Sequence, residues 1–231
     1  MQADYGIDAP GVIRKLTIAS ICCGIGVILT KSYGLGFPSA IFAIEAIYMI
    51  WSSKTGKLLQ RDRILAMAAL TGEERVLDVG CGRGLLLIGA AKQLKSSGKA
   101  IGVDLWQQED LSGNNAEATQ KNIETEGVAN RVELHTGDMR ELPLPDASVD
   151  VVLSSMAVHN IYDVPEREKA LLEMVRVLKP GGRLFLQDFR HTAQYVTVLR
   201  NAGLADAKRS GLQWNLFPPA RIVSAVKPNE P

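Results

Sequence analysis

The chain has 231 residues, enough for one well-buried α/β domain with an appendage and too few for two full domains. Its 26 basic and 25 acidic residues nearly cancel, and no basic stripe interleaves with aromatics, so no nucleic acid is expected as a partner. The three cysteines, Cys22, Cys23 and Cys81, lack metal-ligand spacing, so no metal is expected, and their odd number suits a reducing cytoplasm.

The first element is an uncharged apolar run over residues 16–30. Lys31 and the turn "SYGLGFP" follow, then a second apolar run over 39–51 interrupted only by Glu45. This pattern predicts a hydrophobic, membrane-associating helical hairpin within residues 1–52. At ~1.5 Å per residue each arm reaches ~20–25 Å, short of the ~30 Å hydrocarbon core, so spanning, re-entrant and shallow insertion all stay open. Arg14 and Lys15 precede the hairpin and Lys54, Lys57, Arg61 and Arg63 follow it, which directs both ends to the cytoplasmic face. Tyr48 and Trp51 suit a membrane interface. Glu45 opposes insertion unless it lies near an interface, is protonated or paired, or faces protein. The competing reading is a pair of helices capping a soluble domain, as a lid or a homodimer interface.

The second unit is read over residues 53–231. A basic amphipathic linking helix to about residue 70 leads into a buried strand at 75–79. A helix at 85–94, a strand at 100–103, a helix at 116–126 stopped by Gly127, and strands at 132–135 and 149–154 follow. The next helix, 164–178, opens on Asp163 with Glu166 at capping-box spacing and closes at "KPGG". A strand at 183–188, a helix stopped by Gly203 and two weaker strands, one at 221–226, complete the chain. Such alternation predicts a mainly parallel sheet with helices on both faces and a ligand crevice at the carboxyl ends of the strands.

In "VLDVGCGRG" the first strand runs into Gly80, Gly82 and Gly84, separated by Cys81 and Arg83. Glycines there let the backbone turn tightly and approach a ligand closely, and they aim amides of the next helix at it. The spacing is G-x-G-x-G, not the G-x-G-x-x-G of dinucleotide sites, and Asp78 precedes it. Asp104, ending the second strand, is placed to accept both hydroxyls of a ribose.

Taken in order, "VLDVGCGRG", "GVDLW", "GDM", "VDVVLSSMAVHNI" and "LLEMVRVLKPGGRLFLQDF" resemble class I S-adenosylmethionine-dependent methyltransferases, in their small-molecule and lipid-modifying branch. The resemblance implies a Rossmann-like, doubly wound, seven-stranded sheet and S-adenosylmethionine as cofactor. It implies that Asp78, Gly80, Cys81, Gly82 and Gly84 hold the methionine end and that Asp104 holds the ribose. Leu105 and Trp106 would pack beside ribose or adenine, Asp138 would meet the adenine amino group, and Met139 would pack on the ring. Ser154 and Ser155 would border the transferred methyl. A ligand carrying a sulfonium, an ammonium and a carboxylate needs acceptors beside amide donors, which this set supplies.

Methyl transfer is a one-step displacement, so a base is needed only where the acceptor carries a proton. His159 and Asp188 are the candidate catalytic residues. His191 could serve the substrate or cap a helix, and His135 reads as structural. The N/D-P-P-Y motif of many nitrogen methyltransferases is replaced by "SSMA", and Ser112, Gly113, Asn114 and Asn115 form a polar loop near the cofactor. The joint reading is methyl transfer to a hydrophobic or membrane-dissolved small-molecule or lipid acceptor at the cytoplasmic face. A soluble methyltransferase, a non-catalytic binding module and a nicotinamide-dependent reductase are the alternatives. On the joint reading, deleting residues 1–52 is expected to spare cofactor affinity.

Overall fold

A computed structural model describes residues 3–107 and 111–229. Gln108, Glu109 and Asp110 of the loop after the second strand lie outside the described residues.

Helix α1 spans Pro10–Thr30 and α2 spans Gly36–Trp51, joined by Lys31 in the left-handed region and a short 3-10 turn. The first arm therefore starts well ahead of the uncharged run. Pro10, whose fixed φ favours a first helical turn, opens it, and Arg14 and Lys15 are helix formers carried within it. With 21 residues at ~1.5 Å each, α1 is ~31 Å long and matches the hydrocarbon thickness that its apolar run alone fell short of. None of its residues is buried. The arms meet through small residues: Ser20 Oγ donates to the Ser39 carbonyl and Ser39 Oγ to the Ser20 carbonyl, both at 2.8 Å. Close approach of this kind is how helices associate where surrounding hydrocarbon removes the hydrophobic drive.

The linking helix is not a separate element. A π-helical turn, Ser52–Gly56, carries α2 directly into α3, Lys57–Ala68, so one helical backbone runs from the apolar arm into the domain. Ile64, Leu65 and Ala68 of α3 are fully buried against the sheet. The 52/53 boundary thus falls inside a continuous helix.

The sheet contains β1 (Arg75–Val79), β2 (Lys99–Asp104), β3 (Val132–Thr136), β4 (Val149–Ser155), β5 (Leu178–Asp188), β6 (Ala205–Arg209) and β7 (Arg221–Val226). Between them lie α4 (Leu85–Gln93), α5 (Ala116–Thr125), α6 (Val164–Val177) and α7 (Thr192–Asn201). Strand order is β3-β2-β1-β4-β5-β7-β6, with β7 antiparallel to both neighbours and the other pairings parallel. Alternate residues of β1 feed two cores. Leu77 and Val79 pack toward α6 and α7, and Val76 packs toward α3 and α4. Asp163 caps α6 by accepting from the Glu166 amide at 3.0 Å. "KPGG" differs from expectation: β5 already begins at Leu178, and residues 179–182 form an irregularity between the pairs Val149–Leu178 and Val151–Arg183.

Two segments close over the carboxyl ends of the strands. Residues 3–9 lie against the loop after β2, where Ile7 and Ser112 exchange bonds: the Ile7 amide donates to Ser112 Oγ at 2.7 Å and the Ser112 amide to the Ile7 carbonyl at 3.1 Å. The loop before β7 packs on the π turn, with the Phe217 amide donating to Ser52 Oγ at 2.9 Å.

A glycine-to-alanine change inside a helix ordinarily stabilises by ~0.5–1 kcal/mol. At Gly56 an added Cβ would stand 1.8 Å from the Asn215 carbonyl oxygen, so the sign reverses. Gly56→Ala is expected to cost ~1–3 kcal/mol, read as a lower urea midpoint at unchanged slope. An unchanged midpoint would show that helix and loop part freely.

Candidate active site

The glycine loop leaves β1 under tight constraint. Gly80 has φ +70°, and a Cβ on it would lie 2.3 Å from the Ala157 side chain after β4. Its amide and that of Cys81 donate to the Val103 carbonyl at 2.8 and 3.2 Å, binding the loop to the end of β2. Gly84, also at positive φ, caps α4.

Asp78 is buried and ties strand to helix by accepting from the Leu87 amide at 2.9 Å. Burial pushes its carboxyl up to about 7, with the charge of Asp104 adding in the same direction. Asp104 accepts from the Gly82 amide at 2.8 Å and the Trp106 amide at 2.6 Å. Both carboxylates therefore have structural bonds, yet both still line a common cavity. Asn114 Nδ2 donates to the Gln107 carbonyl at 2.8 Å, while its buried Oδ1 has no partner among the described residues. An unsatisfied acceptor beside Asp104 is what a ligand hydroxyl or amine would complete.

The cavity has a volume of about 750 Å³, ample for a cofactor together with part of an acceptor. Of the expected residues, Asp78, Gly80, Cys81, Gly82, Asp104, Leu105, Asp138, Met139, Ser155 and His159 line it. Gly84, Trp106, Ser154 and Asp188 do not. Trp106, at φ +61°, turns its indole away to donate from Nε1 to Thr136 Oγ1 at 2.8 Å, so its contribution is the Asp104 turn. Ser154 is buried within β4. Asp138 is held below the usual carboxylate range by Arg140, whose Nε lies 3.0 Å from both its oxygens. Cys81 is buried with its thiol pushed up by desolvation, which makes it a packing residue.

His159 and Asp188 come together although 29 residues separate them: Nδ1 of the imidazole lies 2.9 Å from Asp188 Oδ1. That approach has ion-pair distance without hydrogen-bond alignment. Asp188 Oδ2 also accepts from the His159 amide and from Tyr195 Oη, each at 3.0 Å, and Oδ1 from the Phe189 amide at 2.8 Å. The imidazole stands edge-on to the Phe189 ring at 4.5 Å. With Nδ1 turned to Asp188, Nε2 is left for the cavity. His191 caps α7 and lies off the cavity lining, its imidazole pKa lowered by burial.

Several lining residues were not anticipated. Tyr5, Asp8 and Val12 come from the N-terminal segment, Met49, Ser52 and Ser53 from the hairpin base, and Leu216 and Phe217 from the loop before β7. Buried Lys57 donates from Nζ to the Tyr5 and Gly6 carbonyls at 2.8 and 2.7 Å, and desolvation lowers its pKa. In the sequence Lys57 is indistinguishable from the surface cations around it. Because Tyr5, Asp8, Val12, Met49 and Ser52 form cavity wall, deleting 1–52 would also remove part of that wall.

A 3-2-1-4-5-7-6 sheet with an acidic strand end, a G-x-G-x-G loop and a second carboxylate across from it is the fold of class I S-adenosylmethionine-dependent methyltransferases. Residues 77–186 match the family described as "Methyltransferase domain". Demethylmenaquinone methyltransferase of Lactiplantibacillus plantarum is 35% identical over 124 residues, covering 54% of this chain and 48% of that one. The chloroplastic 2-phytyl-1,4-beta-naphthoquinone methyltransferase of Arabidopsis thaliana is 33% identical over 131 residues, 57% of this chain and 48% of that one. The chain thus spans about half the length of the curated relatives it matches. A SAM-dependent methyltransferase from Aquifex aeolicus shares the fold with TM-score 0.58 at 21% identity, over 74% of this chain and 90% of that one.

If Asp78 meets the cofactor as the resemblance implies, its raised carboxyl is expected to give cofactor binding a pH dependence. Below about 7 the group is protonated in the free protein and has no charge to offer the cofactor's ammonium. Affinity for S-adenosylmethionine should fall by up to ~10-fold per unit as pH drops below that value. Asp78→Asn keeps an acceptor for the Leu87 amide and should bind weakly with a flat profile. Calorimetric titration on both sides of neutrality checks this; a flat wild-type profile would remove Asp78 from the cofactor's polar contacts.

Proposed function

We propose that this protein transfers the methyl group of S-adenosylmethionine to an apolar small-molecule or lipid acceptor, with the hairpin in the membrane and the catalytic domain on its cytoplasmic face. One observation carries the reading: the cavity that holds Asp78, the glycine loop and Asp104 has the hairpin base as its opposite wall, through Val12, Met49, Ser52 and Ser53. Above that wall the arms expose Ile18, Ile21, Ile28, Leu29, Phe37, Ile44 and Ile47, an extended apolar surface of the kind that marks a membrane or protein contact and supports this reading. The quinone methyltransferases among its relatives act, by their names, on apolar ring compounds, which supports an acceptor of that kind.

The cofactor supplies an electrophilic methyl on sulfonium sulfur. Asp78, the backbone of the glycine loop, Asp104 and Asn114 would orient it, and Asp138 with Met139 would border the far end. His159 receives the acceptor's proton at Nε2, if the acceptor carries one, while Asp188 offsets the positive charge that develops on the ring. Tyr195 and two amides hold Asp188 in place for that task. Residues 3–9 and the loop before β7 exclude water.

The lid of the soluble alternative has a counterpart here, since residues 5–12 line the cavity. It is the arms beyond them that separate the two readings. Replacing Ile18, Ile21, Ile25, Ile28 and Leu29 by serine, all outside the cavity wall, should move the protein from the membrane to the soluble fraction at unchanged cofactor affinity. A wild-type chain recovered wholly in the soluble fraction would favour a lid or a dimer interface.

Methyl-labelled S-adenosylmethionine with a whole-cell extract should put label into the organic phase, and aqueous or protein label would overturn the acceptor class. On that acceptor His159→Ala should lower kcat by ~10²–10⁴-fold with cofactor affinity retained. Equal kcat across the pH range would assign His159 to packing.

A further inference from the structure

Residues 210–218, between β6 and β7, form a loop whose two sides differ in character. The inner side belongs to the site: Leu216, Phe217 and Pro218 line the cavity. It is fixed to the hairpin base by the Phe217 amide on Ser52 Oγ, by Tyr48 Oη donating to the Trp214 carbonyl, and by the Asn215 carbonyl seated against Gly56. The Tyr48 ring meets Phe217 edge-on at 5.3 Å and lies 6.0 Å from Trp51. The outer side carries Leu212 and Trp214, 43% and 64% exposed. Trp214 is anchored through its carbonyl, so its indole is free to face outward.

A single exposed apolar residue on a soluble domain means nothing. Here an indole and a leucine two positions apart are held at the level where the apolar arms end, next to Tyr48 and Trp51. Lys208 and Arg209 at the end of β6 and Lys54 on the π turn are exposed near this chain level, against one exposed acid on β6, Asp206. Amphipathic aromatics beside cations suit the headgroup layer of an anionic bilayer, where the ring is half buried and the indole N–H stays wet.

We propose that residues 211–217 are a second membrane contact, with Leu212 and Trp214 seated in the headgroup layer of an anionic lipid surface beside the hairpin. The inference rests on the hairpin being inserted and adds the domain's orientation to that reading. Two contacts, one on each side of Phe217, turn the cavity mouth at Met49, Leu216 and Phe217 toward lipid, so an acceptor dissolved there enters without crossing water.

Full-length chain in vesicles of phosphatidylcholine and phosphatidylglycerol provides the test, using its three tryptophans in two forms. Trp51→Phe with Trp106→Phe leaves Trp214, and Trp106→Phe with Trp214→Phe leaves Trp51. Lipids brominated near the headgroup should quench both forms at least about twofold, and aqueous iodide should quench neither well. Trp51 quenched by lipid while Trp214 answers only to iodide would overturn the second contact and leave the inserted hairpin standing. Iodide quenching of both would overturn the hairpin reading and the contact with it. Trp214→Phe alone in the otherwise unchanged chain should lower the lipid-quenched signal, and this decides the matter should a double variant not fold.

Discussion

A single helical backbone runs from Gly36 to Ala68, and the rest of the site depends on it. Its first half is an apolar arm, its last half a domain helix with Ile64 and Leu65 in the core. The π turn and the first residue of α3 turn Ser52, Ser53, Gly56 and Lys57 inward, where they engage the two closing segments. Ser53 Oγ accepts from the Asp8 amide, Ser52 Oγ from the Phe217 amide, and Lys57 holds the Tyr5 and Gly6 carbonyls. One turn further, buried Gln60 accepts from Gln187 Nε2 at 2.8 Å, and Gln187 in turn accepts from Ser155 Oγ at 3.1 Å. The arm is thereby connected to the carboxyl end of β4 through hydrogen bonds rather than through a flexible linker. π turns of this kind recur at functional sites because the wider ring re-aims side chains without breaking the helix.

Insertion of the second arm is decided by where Glu45 sits. Ile41, Ile44, Ile47 and Ile50 each favour the bilayer centre by ~0.3–0.6 kcal/mol, together ~1–2.5 kcal/mol, whereas an ionised acid there costs on the order of 3 kcal/mol. At mid-bilayer the carboxylate would win. Glu45 is only one helical turn from Met49, which lines the cavity, and it is partly buried. On the proposed membrane reading a side chain at that height is close to the cavity and to Tyr48 and Trp51 at the interface, so its cost is reduced and the isoleucines prevail.

Elements set by local signals were legible in the sequence. The glycine loop, the Asp104 strand end, the Asp163 cap and every strand but β6, whose bounds were not legible, and the start of β5 follow from spacing and periodicity within a dozen residues. What was not legible depends on distant chain. The start of α1 was hidden because charged Arg14 and Lys15 ended the apolar run without ending the helix. The role of Lys57 depends on residues 5–8 folding back over the sheet, and that of Trp106 on Thr136 capturing its indole. His159 and Asp188 were each singled out by position after a strand; their pairing arises only because β4 and β5 are neighbours whose ends bring the two loops together.

That pairing also explains how a fully buried carboxylate is tolerated at the end of β5. Removing an ionised acid from water costs several kcal/mol, which a single partner does not offset. Asp188 has three aligned donors, at 3.0, 3.0 and 2.8 Å, before the imidazole is counted. Hydrogen bonds to a charged acceptor contribute ~1.5–3 kcal/mol each, so three of them offset much of that cost. A carboxylate satisfied independently of the imidazole is free to respond to it. On the proposed reading this matters most when a proton taken from the acceptor leaves an imidazolium beside the Phe189 ring, with Asp188 Oδ1 2.9 Å away to meet it.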